Sequence, residues 1–221
     1  MNTLRRWGEV IPRLWAIVLA FALLIVPAGI GRAQLGKLTL HPSGFGEHSY
    51  AAWKAGEGLP DSRGNASQAL YFQKMTETFV FAAGIAIVEG LAGMPASVLQ
   101  GLEWEHRDDG WCGSGAPRWN VGLTAAGLDY TVFLGCFAAA HTPGSSTGWT
   151  RDSYPGPAIA AQITSQTGLP APFAGVTIRY LAIVFDEGTT LQGAPYGLGF
   201  VYLDNLRVNQ KTWTSAGDNG N

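Results

Sequence analysis

Apolar and polar residues alternate in short runs along most of the chain after residue 34, where helical periodicity is weak. Alternation with a period of two is typical of β-strands that bury one face. Nine runs are predicted to be strands: residues 37–41, 69–73, 78–89, 98–107, 117–124, 129–137, 158–163, 176–186 and 199–208. Clusters of Gly, Pro, Ser and Asn separate them. Eight or nine short strands at this spacing predict an all-β fold, an antiparallel β-sandwich of the jelly-roll type.

The apolar positions also predict which strands pair. Folding residues 117–124 onto 129–137 brings apolar side chains opposite each other: Trp119 and Leu134, Val121 and Val132, Leu123 and Tyr130. Folding residues 98–107 onto 117–124 places Trp104 opposite Val121, His106 opposite Trp119, and Arg107 opposite Arg118. The sequence therefore predicts a three-stranded meander.

A second hairpin is predicted between residues 176–186 and 199–208, with Leu181 opposite Asp204. Asp204 would then point into an apolar face, where a carboxylate must be hydrogen-bonded or metal-bound. We interpret Asp204 as a structural residue that accepts backbone N–H groups, with a calcium ligand and a catalytic acid as the alternatives. No cofactor is predicted, apart from a structural calcium for which Asp204 is a weak candidate ligand.

The N-terminus has the pattern of an export signal. Arg5, Arg6 and Arg13 precede the unbroken apolar run 14–26, and Pro27 and small residues follow it. This run would span roughly 20 Å as a helix, short of the roughly 30 Å hydrocarbon core of a bilayer. Residues 1–33 are therefore predicted to be a cleaved signal peptide, residues 34–208 a β-sandwich domain and residues 209–221 a loose polar tail; an uncleaved anchor is the alternative.

The charge of the exported part limits its partners. Removing residues 1–33 takes four Arg and one Glu from 14 basic and 16 acidic residues, which leaves a net charge of −5. A mildly acidic surface disfavours nucleic acid and anionic lipid as partners. We expect a secreted, periplasmic or extracellular protein with no stable membrane span after cleavage.

Both cysteines lie in the exported part, where an even pair predicts one disulfide, Cys112–Cys136. The first predicted hairpin supports this pairing, because Cys136 lies opposite Pro117 and Cys112 lies in the loop that leads to Pro117. A metal pair and a free thiol nucleophile are the alternatives, and the absence of CxxC or CxH spacing disfavours zinc.

The segment 103–120 carries the densest set of candidate functional residues. Glu103 and Glu105 are two apart, so both face away from the core side of their strand. The candidate ligand-binding residues of this face and its rim are Glu103, Glu105, Arg107, Trp111, Arg118, Asn120 and Phe133. The alternatives are a charged ladder without a ligand, and a retaining glycosidase that uses Glu103 and Glu105. The G-x-S-x-G match at 144–148 lacks the flanking strand and helix of a nucleophile elbow, so we interpret it as coincidence.

Two patterns carry a family resemblance. The segment 64–72, GNASQALYF, and the ending 182–189 followed by 199–209 resemble the early and closing strands of galactose-binding-like jelly rolls, modules of the carbohydrate-binding type. The chain also resembles uncharacterised secreted bacterial proteins that have a WCGxGAPRxN segment, here residues 111–120. The resemblance implies the fold first and glycan binding second, with a structural calcium in many such modules.

Three functions follow as hypotheses. The first is a secreted, non-catalytic β-sandwich that binds carbohydrate or a cell-surface polymer. The second is a glycoside hydrolase that uses Glu103 and Glu105. The third is a structural or adhesion protein of the envelope or matrix that binds no small ligand.

Overall fold

The computed structural model describes residues 37–113, 115–188 and 199–220; the predicted signal peptide lies outside these residues. Within them the chain forms twelve strands and one α-helix. The elements are β1 Thr39–Phe45, β2 Ser49–Pro60, β3 Ala66–Lys74, β4 Ala83–Glu89, β5 Gly101–Arg107, β6 Arg118–Ala125, β7 Leu128–Gly135, β8 Ala140–Pro143, β9 Trp149–Pro155, α1 Gly156–Thr167, β10 Val176–Phe185, β11 Phe200–Val208 and β12 Lys211–Trp213. Three short 3₁₀ turns, Ala96–Val98, Cys136–Ala138 and Ala216–Gly220, complete the described elements.

The strands form two antiparallel sheets. The five-stranded sheet has the order β1-β4-β10-β6-β7, and the seven-stranded sheet has the order β2-β3-β11-β5-β9-β8 with β12 paired to β11. The predicted antiparallel β-sandwich is therefore confirmed, with more strands than the eight or nine expected.

The core lies between the sheets and is built from the alternating apolar positions. Strand β6 contributes Trp119, Val121 and Leu123, all buried, and β5 contributes Leu102 and Trp104 from the opposite sheet. The rings of Trp104 and Trp119 stack across the sandwich with centroids 5.2 Å apart. An aromatic pair of this kind adds about 1 kcal/mol to the burial of its apolar area.

Of the two predicted strand pairings around β6, one is confirmed and one is wrong. In the β6–β7 hairpin, Trp119 pairs with Leu134, Val121 with Val132 and Leu123 with Tyr130, as predicted. Strand β5, however, pairs with β9 and β11 in the other sheet, so Arg107 does not face Arg118. Alternation shows which side chains point inward, but an inward residue can meet its partner across the sandwich as well as along the sheet.

The predicted hairpin between residues 176–186 and 199–208 is also wrong. Strand β10 lies between β4 and β6, whereas β11 lies between β3 and β5 in the opposite sheet. Both strands are apolar enough to lie inside a sheet, and each pairs with strands of its own sheet. Asp204 is buried, as expected, but it does not point into the core as the predicted hairpin required. It lies on the outer side of β11 with Glu105 as its strand neighbour, whereas Val201 and Leu203 of β11 face the core.

Residues 158–163, predicted to be a strand, lie inside helix α1. Ile159 and Ile163, which are four residues apart, are both buried against the core on one side of the helix. A proline lies in the first helical turn, and Gly168 ends the helix in the left-handed conformation with φ 74°. The segment is too short for the helical period to stand out from the alternating pattern.

The C-terminal segment was expected to be loose, but it packs against the sandwich. Strand β12 pairs with β11, and Trp213 is fully buried. Asn219 ties the end of the chain to β1, since its side chain accepts from Leu40 N at 2.7 Å and donates to Leu40 O at 2.8 Å. The described residues include no helix with the length and apolar character needed to cross a bilayer.

Candidate functional site

The seven candidate ligand-binding residues do not share one surface. Glu103, Glu105 and Arg107 alternate with inward-facing residues of β5, so they lie on the outer face of the seven-stranded sheet. Arg118 and Asn120 on β6, with Phe133 on β7, lie on the outer face of the five-stranded sheet. The two outer faces point in opposite directions, because β5 and β6 belong to different sheets.

Glu105 is fully buried on the outer side of β5. Ser145 donates to its carboxylate twice, from the backbone N and from Oγ, both at 2.6 Å. Arg151 Nη2 donates at 2.8 Å and Asn205 Nδ2 at 3.1 Å. Burial alone would raise the pKa of Glu105, but the hydrogen bonds from Ser145, Arg151 and Asn205 outweigh burial and lower it. Glu105 therefore remains a charged structural anchor beneath the loop 143–148.

The formal G-x-S-x-G segment, residues 144–148, lies in that loop. Ser145 holds the loop in place, and it occupies the second position of the motif, whereas Ser146 occupies the serine position. Ser145 Oγ is a hydrogen-bond donor to a carboxylate and has a second contact with Arg151 Nη2 at 3.1 Å. The loop borders an open depression of about 630 Å³ between residues 143–150 and Asp108.

Glu103 is also engaged in ion pairs. Its carboxylate lies 2.5 Å from Arg207 Nη2 and 3.7 Å from Arg151 Nε. A retaining glycosidase needs one carboxyl with a raised pKa as acid and a second that can reach the sugar. With Glu105 buried and its pKa lowered, and Glu103 paired to arginine, this pair does not have that arrangement.

A group of aromatic rings lies beside Arg107 on the outer face of the seven-stranded sheet. We call it the aromatic face; its rings are Tyr50 on β2, Tyr71 on β3, and Phe200 and Tyr202 on β11. The ring of Tyr71 lies 4.7 Å from that of Tyr202, 5.7 Å from that of Tyr50 and 6.1 Å from that of Phe200. Burial, with the neighbouring tyrosines, raises the pKa of Tyr71 to about 12, so it stays a neutral phenol.

Polar groups surround the aromatic face. The Arg107 guanidinium stacks 3.8 Å from the centroid of Tyr202, and its nitrogens bind Glu57 and Asp109. Lys54 Nζ lies 5.4 Å from the ring centroid of Tyr50, and the amide of Gln73 accepts from the Tyr71 hydroxyl at 2.9 Å. Of the residues that form and surround the aromatic face, only Arg107 was predicted from the sequence to bind a ligand. The alternation of Tyr50, Ala52 and Lys54 was the available signal for β2, which was not predicted.

On the opposite face, Arg118 is held by its neighbours. Its guanidinium binds the carboxylate of Asp186 at 2.5 and 2.6 Å, and its Nε donates to Asn120 Oδ1 at 2.9 Å. The guanidinium lies 5.2 Å from the ring centroid of Phe133. Arg118, Asn120 and Phe133 therefore form one cluster, in which Asp186 is the ion-pair partner of Arg118.

Trp111 lies at the rim, in the loop that follows β5. Its indole N–H donates to Glu187 Oε2 at 2.5 Å, and its ring packs on the core. Trp111 thus helps to hold the loop that carries Cys112.

The predicted disulfide Cys112–Cys136 is confirmed, with an S–S distance of 1.97 Å and a Cα–Cα distance of 5.3 Å. As expected from the β6–β7 hairpin, Cys136 lies beside Pro117, whose carbonyl accepts from Cys136 N at 2.8 Å.

A buried carboxylate, Asp152 on β9, lies next to this disulfide. Its Oδ2 accepts from Trp104 Nε1 at 2.7 Å and lies 2.5 Å from His106 Nδ1, while its Oδ1 lies 2.6 Å from His141 Nδ1. His106 is thus hydrogen-bonded at the edge of the core. Asp152 was missed because β9 falls outside the nine predicted strands.

The same neighbourhood contains the one group of His, Cys and acidic residues, among those the structure describes, with potential metal-ligand atoms close together. The atoms belong to His106, Cys112, Cys136 and Asp152 and lie within 4.8 Å of one another. With the disulfide closed, however, neither sulfur is a thiolate, the form of cysteine that binds metals.

Asp204 has the partners of a structural carboxylate. It accepts from Leu59 N at 2.8 Å, from Asn205 N at 2.6 Å and from Ser67 Oγ at 3.4 Å. Burial raises its pKa to about 6 despite these hydrogen bonds, and the nearby negative charge of Glu105 adds to the rise. Calcium binding by Asp204 stays a prediction.

Comparison of the chain with protein-family models, with curated proteins and with solved structures finds no match. The resemblance to galactose-binding-like jelly rolls thus stays a prediction.

Proposed function

We propose that this protein is an exported, non-catalytic β-sandwich that binds a carbohydrate or a cell-surface polymer through the aromatic face. The observation that carries the proposal is the set of four clustered rings on the outer side of the seven-stranded sheet, three of them partly exposed. A sugar ring has an apolar face of C–H groups, which packs well on an aromatic side chain.

The polar groups at the edge of the aromatic face support the same class of ligand. Lys54 and Gln73 carry N–H donors, and Tyr50 and Tyr202 carry hydroxyls that can donate or accept. Sites for small ligands commonly combine apolar surface with a few directional polar groups of this kind. The hydroxyls of a glycan are suitable partners for such groups.

The rings are held in place before a ligand arrives. Arg107 lies over Tyr202 and is fixed by two carboxylates, and Tyr71 is buried beneath its neighbours. A rigid site loses little side-chain entropy on binding, so modest contacts suffice for measurable affinity.

Affinity electrophoresis in gels containing a soluble β-glucan, xylan, galactomannan or pectin tests the proposal. We expect at least one polysaccharide to retard the protein. Tyr50→Ala and Tyr202→Ala should each weaken that binding about tenfold, because each removes part of the apolar surface and a hydroxyl of the aromatic face.

Phe133→Ala on the opposite outer face is the matched control and should bind like the wild type. All variants should keep the wild-type near-ultraviolet circular dichroism. The proposal fails if no polysaccharide of the panel retards the wild type, or if Phe133→Ala abolishes binding while the tyrosine variants retain it.

A further inference from the structure

The disulfide lies among groups that could bind a metal ion once it is opened. Cys136 Sγ lies 3.4 Å from Asp152 Oδ2 and 3.9 Å from His106 Nδ1. Cys112 Sγ is bonded to Cys136 Sγ and belongs to the same group of atoms, all within 4.8 Å of one another. From this geometry we propose that reduction of Cys112–Cys136 creates a site for a thiophilic divalent cation such as Zn²⁺, with two thiolates, His106 Nδ1 and Asp152 Oδ2 as ligands.

The chemistry of the switch is a thiol–disulfide exchange followed by metal binding. A dithiol reductant breaks the S–S bond by supplying two electrons and two protons, and is itself oxidised to a disulfide. The two cysteine thiols then lose their protons to water as the cation binds, and the proton held between His106 Nδ1 and Asp152 Oδ2 moves to His106 Nε2 or to water. A disulfide oxidant, such as the oxidised form of the reductant, accepts two electrons and two protons, re-forms the Cys112–Cys136 bond and releases the cation.

Two of the ligand distances of a tetrahedral site are already present. With Zn–S bonds of about 2.3 Å and Zn–N or Zn–O bonds of about 2.0 Å, two sulfurs lie about 3.8 Å apart and a sulfur lies about 3.5 Å from a nitrogen or oxygen. The distances from Cys136 to Asp152 and His106, 3.4 and 3.9 Å, are near the second value. The two sulfurs must move apart once their bond is broken, and His106 Nδ1 and Asp152 Oδ2 must part from 2.5 Å to about 3.3 Å to admit the cation.

The ligands are positioned by contacts that do not depend on the disulfide. Gly113 N donates to Ala116 O at 2.8 Å, Phe137 N donates to Gly113 O at 3.1 Å, and Cys136 N donates to Pro117 O at 2.8 Å. These backbone hydrogen bonds keep the two cysteine-bearing segments together after reduction.

A second layer of contacts orients the carboxylate. His141 Nδ1 lies 2.6 Å from Asp152 Oδ1, and Trp104 Nε1 donates to Oδ2 at 2.7 Å. Outer contacts of this kind hold metal ligands in position, and their loss typically weakens metal binding tenfold or more. His141 is therefore expected to be a positioning residue of the reduced site.

Titration of the reduced full-length protein with Co²⁺ under argon tests the proposal. We expect one equivalent of Co²⁺ to produce a thiolate-to-cobalt charge-transfer band and the intense d–d bands of a tetrahedral site, both removed by Zn²⁺. The oxidised protein should show neither. X-ray absorption at the zinc edge should find two sulfur and two nitrogen or oxygen neighbours, a measurement that requires no variant.

Variants assign the ligands. His106→Gln and His141→Gln should each weaken Co²⁺ binding at least tenfold, whereas His41→Gln, at an exposed position, should leave it unchanged. A reduced protein that shows no thiolate–cobalt band, whether it stays folded or has unfolded and is not refolded by Co²⁺, overturns the proposal. Binding that His106→Gln leaves unchanged, or a zinc site without sulfur, overturns it as well.

Discussion

At the scale of residues, two neighbouring buried carboxylates have opposite properties. Glu105 and Asp204 are partners across β5 and β11, and both are almost fully buried. Glu105 is hydrogen-bonded by Arg151, a cation, and its pKa is lowered; Asp204 is hydrogen-bonded by neutral donors alone, and its pKa is raised to about 6. The sequence indicated that Asp204 is buried. It could not indicate that the loop 143–148 covers Glu105, because that contact joins residues 40 apart in the chain.

The raised pKa of Asp204 predicts a pH dependence of stability. The folded protein binds this proton more tightly than the unfolded chain, whose ordinary value is 3.8, so the free energy of unfolding should fall as pH rises from about 4 to about 6. The contribution of this one group is at most about 3 kcal/mol. Asp204→Asn should remove this part of the slope, as measured by urea unfolding at a series of pH values. An Asp204→Asn variant with the wild-type slope would contradict the assignment.

At the scale of elements, the alternating pattern located eight of the twelve strands but missed helix α1 and strands β2, β8, β9 and β12. The β6–β7 hairpin was predicted with its register, because a short turn leaves few ways to pair two adjacent apolar strands. Strands β8 and β9 lie in a stretch rich in Pro and Gly where no strand was predicted, and helix α1 includes residues 158–163, which were predicted to be a strand. There the fold depends on contacts with distant strands, such as β9 with β5, which local pattern does not encode.

The C-terminal end of helix α1 provides a test at this scale. Gly168 adopts φ 74°, and a Cβ there would meet no atom within 4 Å. Gly168→Ala should therefore destabilise the fold by about 1 kcal/mol through backbone strain alone. Gly101→Ala is the matched control, because Gly101 is equally uncrowded but has no positive φ; its urea midpoint should stay close to that of the wild type. Equal effects of the two substitutions would contradict this explanation.

At the scale of the whole molecule, the sandwich separates residues that are close in sequence. Glu103, Glu105 and Arg107 lie on one outer face, and Arg118 and Asn120 lie on the other. The loop between the two strands carries Trp111 and Cys112 along the edge of the core. The disulfide fastens that loop to the end of β7. The segment 103–120 thus contributes the buried carboxylate of Glu105, the loop that carries Cys112, and side chains on two opposite outer surfaces.

Opening the disulfide should therefore reduce global stability. A closed loop spanning a sequence separation of 24 residues is worth about 3 kcal/mol in the chain-entropy account. Reduction in the presence of EDTA, which removes any bound cation, should lower the free energy of urea unfolding by about that amount. When the untreated protein is alkylated and its mass is measured, neither cysteine should have reacted, because both sulfurs are in the disulfide. Free thiols would contradict the prediction.

The sequence by itself determined the fold class, the β6–β7 register with its inward-facing side chains, and the disulfide. These features follow from local periodicity and from the chemistry of the two cysteines. They can therefore be predicted without knowing which distant strands pair. Only the tertiary structure decided which sheet each strand joins, and hence which outward-facing residues share a surface. Alternation assigns a residue to the inner or the outer side of its own strand, but the surface on which it meets other residues depends on long-range pairing. That pairing brings Tyr50, Tyr71 and Tyr202 together and places Asp152 beside His106 and Cys136.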